Sequence, residues 1–374
     1  MDTLLEKFAK LGCDNAPGQE GRQKAAALEL RGEKLSGTPV DFSHGDVDAH
    51  PPIPGTLADF VAGVEKIGGH QAYTEYRGGK STREDLARKI SAFTGAAIDP
   101  EENIILTPGT QGALFLAIGA NMVPGDKVAI VEPDYFANRK LVEFFGGELC
   151  PIQMDYYGAQ DQGRAGLDLT GLEQAFQSGV KLFLFSNPNN PTGVIYSREE
   201  IVKIASLAKE YGATLIVDEL YSRQVFDGRA YTHLCAQPER PDNLVTIIGP
   251  SKTESLSGYR LGVAFGSAAI IERMEKLQAI VSLRAPGYCQ AVFASWFAEP
   301  QGWMEQRVAG HQAIRDSLLS KFRACPGVTA RTTEAGSYLF PKLPPLAVSG
   351  AGFVKILRAP AAGTVPPGAE LGPP

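Results

Sequence analysis

Between about residues 100 and 270 the chain alternates short apolar runs with longer amphipathic stretches. NIILT (103–107), KVAIVE (127–132), KLFLFS (181–186), TLIVDE (214–219), LVTIIG (244–249) and GVAFGS (262–267) are short runs rich in aliphatic, β-branched and aromatic residues. That is the pattern of strands buried on both faces. TQGALFLAIGANM (110–122) and SREEIVKIASLAKEYG (197–212) carry helical periodicity between them. The first ends at Pro124-Gly125; the second opens with Ser197 and Glu200 in capping-box spacing and closes on Gly212. Strand, helix, strand in repeated order predicts parallel strands joined by right-handed crossovers, a three-layer α/β domain. In such sheets ligands gather at the carboxyl ends of the strands.

The ends of the chain do not continue this pattern. Residues 1–45 read as a helical arm leading into an extended piece, 292–324 as long helices, and GVTARTTEAGSYLFPKLP after them as a strand pair. The expected organisation is an N-terminal arm (1–45) that contributes to a small domain, a large domain (46–284) and a smaller α+β domain (285–374).

Composition narrows the function. With 374 residues, 44% of them hydrophobic and 21% charged, the chain can bury a large core, which excludes disorder. Lys plus Arg number 36 against 42 Asp plus Glu, a net charge of −6 with no concentrated positive stretch, which argues against a nucleic-acid partner. The N-terminus lacks the apolar run of a signal peptide and no segment reaches membrane-spanning length, so a soluble cytoplasmic protein is expected. Five scattered cysteines without a Cys-x-x-Cys pair fit reduced thiols, and the five histidines show no ligand spacing, so no metal is expected.

Three polar segments follow predicted strands. SNPNNPTGVIYS (186–197) puts Asn190 in a loop shaped by Pro188, Pro191 and Gly193; DELY (218–221) adds an acid and a phenol; SKTESLSGYRLG (251–262) adds a lysine, several hydroxyls and an arginine eight residues later. With DFSHGDVD, AYTEYRGGKSTREDLA, TPGTQGAL, VEPDYFANR and AGSYLFP, these segments form an ordered set from about Gly45 to Phe340. The set resembles the class I/II aminotransferases of fold type I, the aspartate aminotransferase-like family dependent on pyridoxal 5′-phosphate. The resemblance implies a mainly parallel seven-stranded sheet with a smaller α+β domain. It also implies a homodimer with shared active sites, and a ping-pong transfer of an amino group from an α-amino acid to a 2-oxo acid.

The resemblance assigns roles residue by residue. Lys252 forms the internal aldimine and, once freed, moves the proton between Cα and C4′. Asp218 pairs with the pyridinium nitrogen so that the ring acts as an electron sink, and Tyr221 and Asn190 bond the ring oxygen. Gly109, Thr110 and Gln111 open a helix whose N–H groups and dipole suit the phosphate, and Arg260 makes the charged contact. Tyr135 stacks on the pyridine face, and Tyr73 reaches the neighbouring subunit's phosphate. Gly45 matches the glycine that approaches the substrate carboxylate, although a simple turn glycine fits as well.

Three positions depart from the family pattern. Gly249 stands where a serine is common, and Ser251 is the alternative hydroxyl. Arg284 matches an arginine that some members lend to a partner's acidic substrate, with a salt bridge as the competing reading. The family's carboxylate-binding arginine lies beyond a P-G-x-x-F-G turn; here that turn reads PPGAELGPP (366–374) and the sequence ends. Such an arginine contributes about 1.5–3 kcal/mol as a charge-assisted contact, so cofactor binding is expected to survive and substrate affinity to suffer. Two alternatives share the cofactor: a lyase or amino-acid cyclase on the same fold, and a non-catalytic cofactor-binding module, for which the N-terminal arm is too short to hold a DNA-binding domain.

Overall fold

A computed structural model describes residues 3–9, 11, 40–41, 50–67, 73–350, 352–354, 356 and 363–364. In chain order the elements are α1 (Thr3–Ala9), β1 (Val40–Asp41), α2 (Thr56–Ile67), α3 (Lys80–Thr94), β2 (Ile104–Pro108), α4 (Gly109–Gly119), β3 (Lys127–Glu132), α5 (Phe136–Phe144) and β4 (Glu148–Gln153). There follow α6 (Leu169–Gln177), β5 (Leu182–Ser186), α7 (Arg198–Glu210), β6 (Thr214–Asp218), β7 (Leu244–Ile248), β8 (Leu261–Gly266), α8 (Ala268–Val281), α9 (Trp303–Ala324) and β9 (Gly363–Thr364).

Seven of the strands form one sheet in the order β2-β8-β7-β6-β5-β3-β4. Alternation within each strand feeds two separate cores, because successive side chains point to opposite faces. Phe183, Phe185, Leu215 and Val217 enter one, while Leu182, Leu184, Ile216 and Val245 enter the other. Each such fully buried side chain contributes roughly 1.5–3 kcal/mol, which is why the centre of the sheet is a rigid platform. The expected α/β architecture is therefore present, with β8 running antiparallel to both neighbours. The loop 249–260 returns the chain beside β7 without a crossover helix, and that geometry permits only an antiparallel partner.

Helix α7 begins as its sequence predicts. Ser197 Oγ accepts from the Glu200 amide at 3.2 Å, and the Glu200 carboxylate accepts from the Ser197 amide at 2.8 Å.

Two expectations for the C-terminal part are corrected. The helical region 292–324 is broken: a 3₁₀ segment, Tyr288–Ala294, is separated from α9 by a stretch containing Pro300 and Gly302. The strand pair expected over 327–344 shrinks to one antiparallel bridge, Thr329 to Lys342. The backbone between them bonds elsewhere: the amides of Glu334 and Ala335 donate to the Gly193 carbonyl, and the Glu334 carbonyl accepts from the Phe226 amide. This stretch is thereby fastened to the loops at the sheet's carboxyl edge instead of pairing with itself.

Candidate active site

The carboxyl ends of β5 and β6, the loop after β7 and the start of α4 surround a cavity of about 200 Å³. Its lining includes Thr110, Gln111, Tyr135, Ser186, Asn190, Asp218, Tyr221, Ser251, Lys252, Arg260 and Tyr338. Most of the residues singled out in the sequence therefore meet in one place, although they are spread over more than a hundred positions.

One end of the cavity is suited to an anion. Helix α4 starts at Pro108–Gly109 with no side chain capping it, so its first N–H groups have no intrahelical partner and carry the positive end of the helix dipole. Gly109 adopts φ +76°, and a Cβ there would lie 2.5 Å from the Arg260 guanidinium. Only glycine allows the arginine this close to the helix start. Arg260 itself has φ +53° and is held by a bond from Nη1 to the Ser257 carbonyl at 2.9 Å. Strand β8 supports the same turn from below: a Cβ on Gly262 would lie 2.4 Å from the Gly109 carbonyl carbon and 2.5 Å from the Thr110 nitrogen. Gly262→Ala is accordingly expected to cost about 1–3 kcal/mol of stability through overpacking and to weaken anion binding, read by urea unfolding together with ligand titration. The glycine at 249 also has a physical reason. A side chain there would meet the Thr110 methyl at 2.7 Å, and the loop that follows brings Ser251 and Ser257 to the cavity lining.

The other end is acidic and buried. Asp218 closes β6, is 7% exposed, and accepts from the Leu220 amide at 3.0 Å. Burial drives its pKa up to about 6, that amide bond opposes the rise, and the charge of Glu219 adds to it. Glu219 turns away from the cavity and meets His233 Nδ1 at 2.6 Å, with Cys235 close by. Tyr221, 3% exposed, closes no hydrogen bond of normal geometry through its hydroxyl among the described residues. Burial holds that phenol well above its ordinary pKa, and the adjacent Tyr338, whose ring centroid is 6.0 Å away, adds to the effect. A buried hydroxyl without a partner is costly unless a ligand completes it.

The residues match the family model described as aminotransferase class I and II over residues 41–369. The chain belongs to that family. A crystal structure of an aspartate aminotransferase from Rhodobacter sphaeroides 2.4.1 is 63% identical, with a TM-score of 0.93 over 99% of this chain and 91% of that one. An aspartate aminotransferase of Sulfolobus acidocaldarius is 28% identical over 74% of this chain and 68% of its own length. An arginine–pyruvate transaminase of Pseudomonas aeruginosa is 24% identical over 92% and 84%.

In this aminotransferase four expected site residues lie outside the cavity lining or outside the described residues: Gly109, which opens α4 just before the lining residue Thr110, Tyr73, Arg284 and Gly45. Tyr73 is 72% exposed. Arg284 is stacked between Tyr73 and Tyr76, its guanidinium 4.6 and 4.5 Å from their ring centroids, and its Nε donates to the Thr74 carbonyl. Gly45, like the turn 366–374, falls outside the described residues. Conversely, the aminotransferase places Tyr338 and Ser186 in the lining, which the sequence reading did not single out as site residues. The first belongs to the AGSYLFP segment, and the fastening of 334–336 to Gly193 and Gln224 brings it to the cavity. Among the described residues no helix is long and apolar enough to cross a membrane.

Proposed function

We propose that this transaminase uses pyridoxal 5′-phosphate held in the cavity described above, with Lys252 as the point of covalent attachment. In this reading the α4 N-terminus, Thr110, Ser251 and Arg260 bind the phosphate. Tyr135 packs on the ring, its hydroxyl donating to Gln111 Oε1 at 3.1 Å. Asn190 and the unpartnered Tyr221 hydroxyl bond the ring oxygen, and Asp218 pairs with the ring nitrogen. The observation that carries the reading is the coincidence, in one cavity, of an uncapped helix start facing an arginine with a buried carboxylate and an unsatisfied phenol. Those are the complements of an anionic phosphate and of a polar aromatic ring. When bound, such a cofactor supplies an electron sink for a carbanion at the substrate's α-carbon. Lys252 then holds and moves the proton at that carbon, Asp218 keeps the ring nitrogen protonated, and the two ends of the cavity fix the orientation.

The reaction we propose is ping-pong transfer of an amino group from an α-amino acid to a 2-oxo acid. Aspartate is the first donor to test, given the 63% identical aspartate aminotransferase. We also propose a homodimer: Tyr73, Leu57, Ile280, Val281 and Leu283 are large, apolar or aromatic, and exposed in the single chain. The test is a screen of amino acids with the purified, cofactor-loaded protein. Accumulation of an aminated cofactor and a 2-oxo acid supports transamination. Release of ammonia without an oxo-acid acceptor means that elimination is the reaction.

Asp218 makes cofactor affinity pH-dependent. Its folded pKa is raised, so between about pH 4 and 6 the folded apoprotein holds a proton that the unfolded chain has lost. This group therefore stabilises the apoprotein progressively as pH falls through 6. Cofactor binding needs the ionised form. Affinity is accordingly expected to drop below about pH 6, by up to about tenfold per pH unit, and Asp218→Asn is expected to flatten that dependence in an absorbance titration.

A further inference from the structure

A second buried carboxylate, Asp134, takes no part in the scheme above. It follows β3, is 4% exposed and does not line the cavity. Among the described residues no lysine or arginine forms an ion pair with it. Four uncharged donors surround it instead. One oxygen accepts from the Tyr135 amide at 2.7 Å and from the Ser186 hydroxyl. The other accepts from the Ser186 amide at 3.2 Å and faces Asn138 Nδ2 at 3.5 Å.

In its ionised form the carboxylate only accepts, and the Ser186 hydroxyl then points its hydrogen at Asp134. Its oxygen is then left to accept, and it does so from the Asn190 amide at 3.1 Å. Two residues that line the cavity are thus tied to one carboxylate: Tyr135 directly, and Asn190 through Ser186.

We propose that Asp134 is a positioning residue for transamination, setting the placement of Tyr135 relative to Asn190 through its bonds to the Tyr135 amide and the Ser186 hydroxyl. The proposal rests on the pyridoxal phosphate reading of the cavity. Stability alone does not account for an acid at this position. Burial raises its pKa to about 7, the Ser186 and Tyr135 bonds hold it down, and the neighbouring charge of Asp218 pushes it up further. A buried acid in that balance costs folding free energy at neutral pH that an apolar side chain would not. Such a cost is characteristic of sites kept for geometry.

The test compares wild type, Asp134→Asn, Ser186→Ala and the double variant as full-length protein. Cofactor dissociation constants are measured by titrating pyridoxal phosphate, alongside the pH midpoint of the bound cofactor's near-visible absorbance and the urea midpoint. In Asp134→Asn the new NH2 group must face either the Ser186 hydroxyl, which reverses the chain to Asn190, or the Ser186 backbone N–H, a donor–donor contact that displaces the end of β5 carrying Ser186. About tenfold weaker binding is expected, the equivalent of one such bond, with a displaced absorbance midpoint. Ser186→Ala is expected to move both in the same direction. The double variant is expected to be little worse than Asp134→Asn, because the two substitutions cut one path. Wild-type affinity and midpoint in Asp134→Asn overturn the proposal, as do effects that simply add in the double variant. If Asp134→Asn does not fold, Ser186→Ala decides: an unchanged midpoint there overturns it. A wild-type protein that binds no pyridoxal phosphate overturns the cofactor reading and this proposal with it, an outcome distinct from a loaded wild type with an indifferent Asp134.

Discussion

Lys252→Ala is expected to abolish the near-visible absorbance of the cofactor-loaded protein and to lower transamination by at least about 10²–10⁴-fold, the usual contribution of a positioned general base. Lys252 lies in the loop after β7 and lines the cavity together with Asp218 and Arg260. Among the described residues no other lysine lines it, so none of their amines is placed to take over attachment or proton transfer. The phosphate contacts proposed above do not involve this side chain. Cofactor is therefore expected to bind the variant non-covalently, with the absorbance of the free aldehyde. The check is a spectrum of the loaded variant beside its steady-state rate. Full activity without the band would remove Lys252 from the chemistry.

Asp218→Asn is expected to separate activity from stability. An amide of nearly the same shape keeps the bond from Leu220 but carries no charge to hold the ring nitrogen protonated. Loss of one preorganised electrostatic partner lowers kcat by about 10²–10³-fold. The apoprotein should nevertheless be at least as stable as wild type at neutral pH. The wild-type carboxylate is buried, has its pKa raised to about 6 and lies next to Glu219, so its ionised form costs folding free energy that the amide does not. Paired kcat and urea-midpoint measurements check this. A variant that loses both in proportion would make Asp218 a structural residue.

The sequence exposed the site far better than the periphery. Asn190, Asp218 and Lys252 each follow an apolar run, and the ends of buried strands are where an α/β sheet gathers its ligands. Local pattern was therefore enough to place them. The strand β4, ELCPIQ, is not legible in the sequence because it is an edge strand. It pairs on one side with β3 alone, tolerates Pro151, and has only Ile152 fully buried. Its composition carries little of the signal that marks the central strands.

Tyr338, Ser186 and Asp134 were missed for a different reason. Their importance comes from non-local bonds, such as Ser186 to Asp134 across two adjacent strands, and spacing along one chain does not encode such pairs. The strand pair assigned to 327–344 failed in the same way: alternation suggested self-pairing, whereas Gly193 and Phe226 compete for the same backbone groups. The glycines at 249 and 262 were legible as glycines. Only the close approach of Thr110 and of the Gly109–Thr110 backbone shows why nothing larger fits.

The central claim is that the cavity at the sheet's carboxyl edge holds pyridoxal phosphate through Lys252. It is tested most directly by reducing the loaded protein with borohydride, digesting it and locating the modified lysine by mass spectrometry. The account predicts one pyridoxyl group per chain, on Lys252 of the SKTESLSGYR segment. Modification of a different lysine, or none under conditions where the protein transaminates, would contradict it.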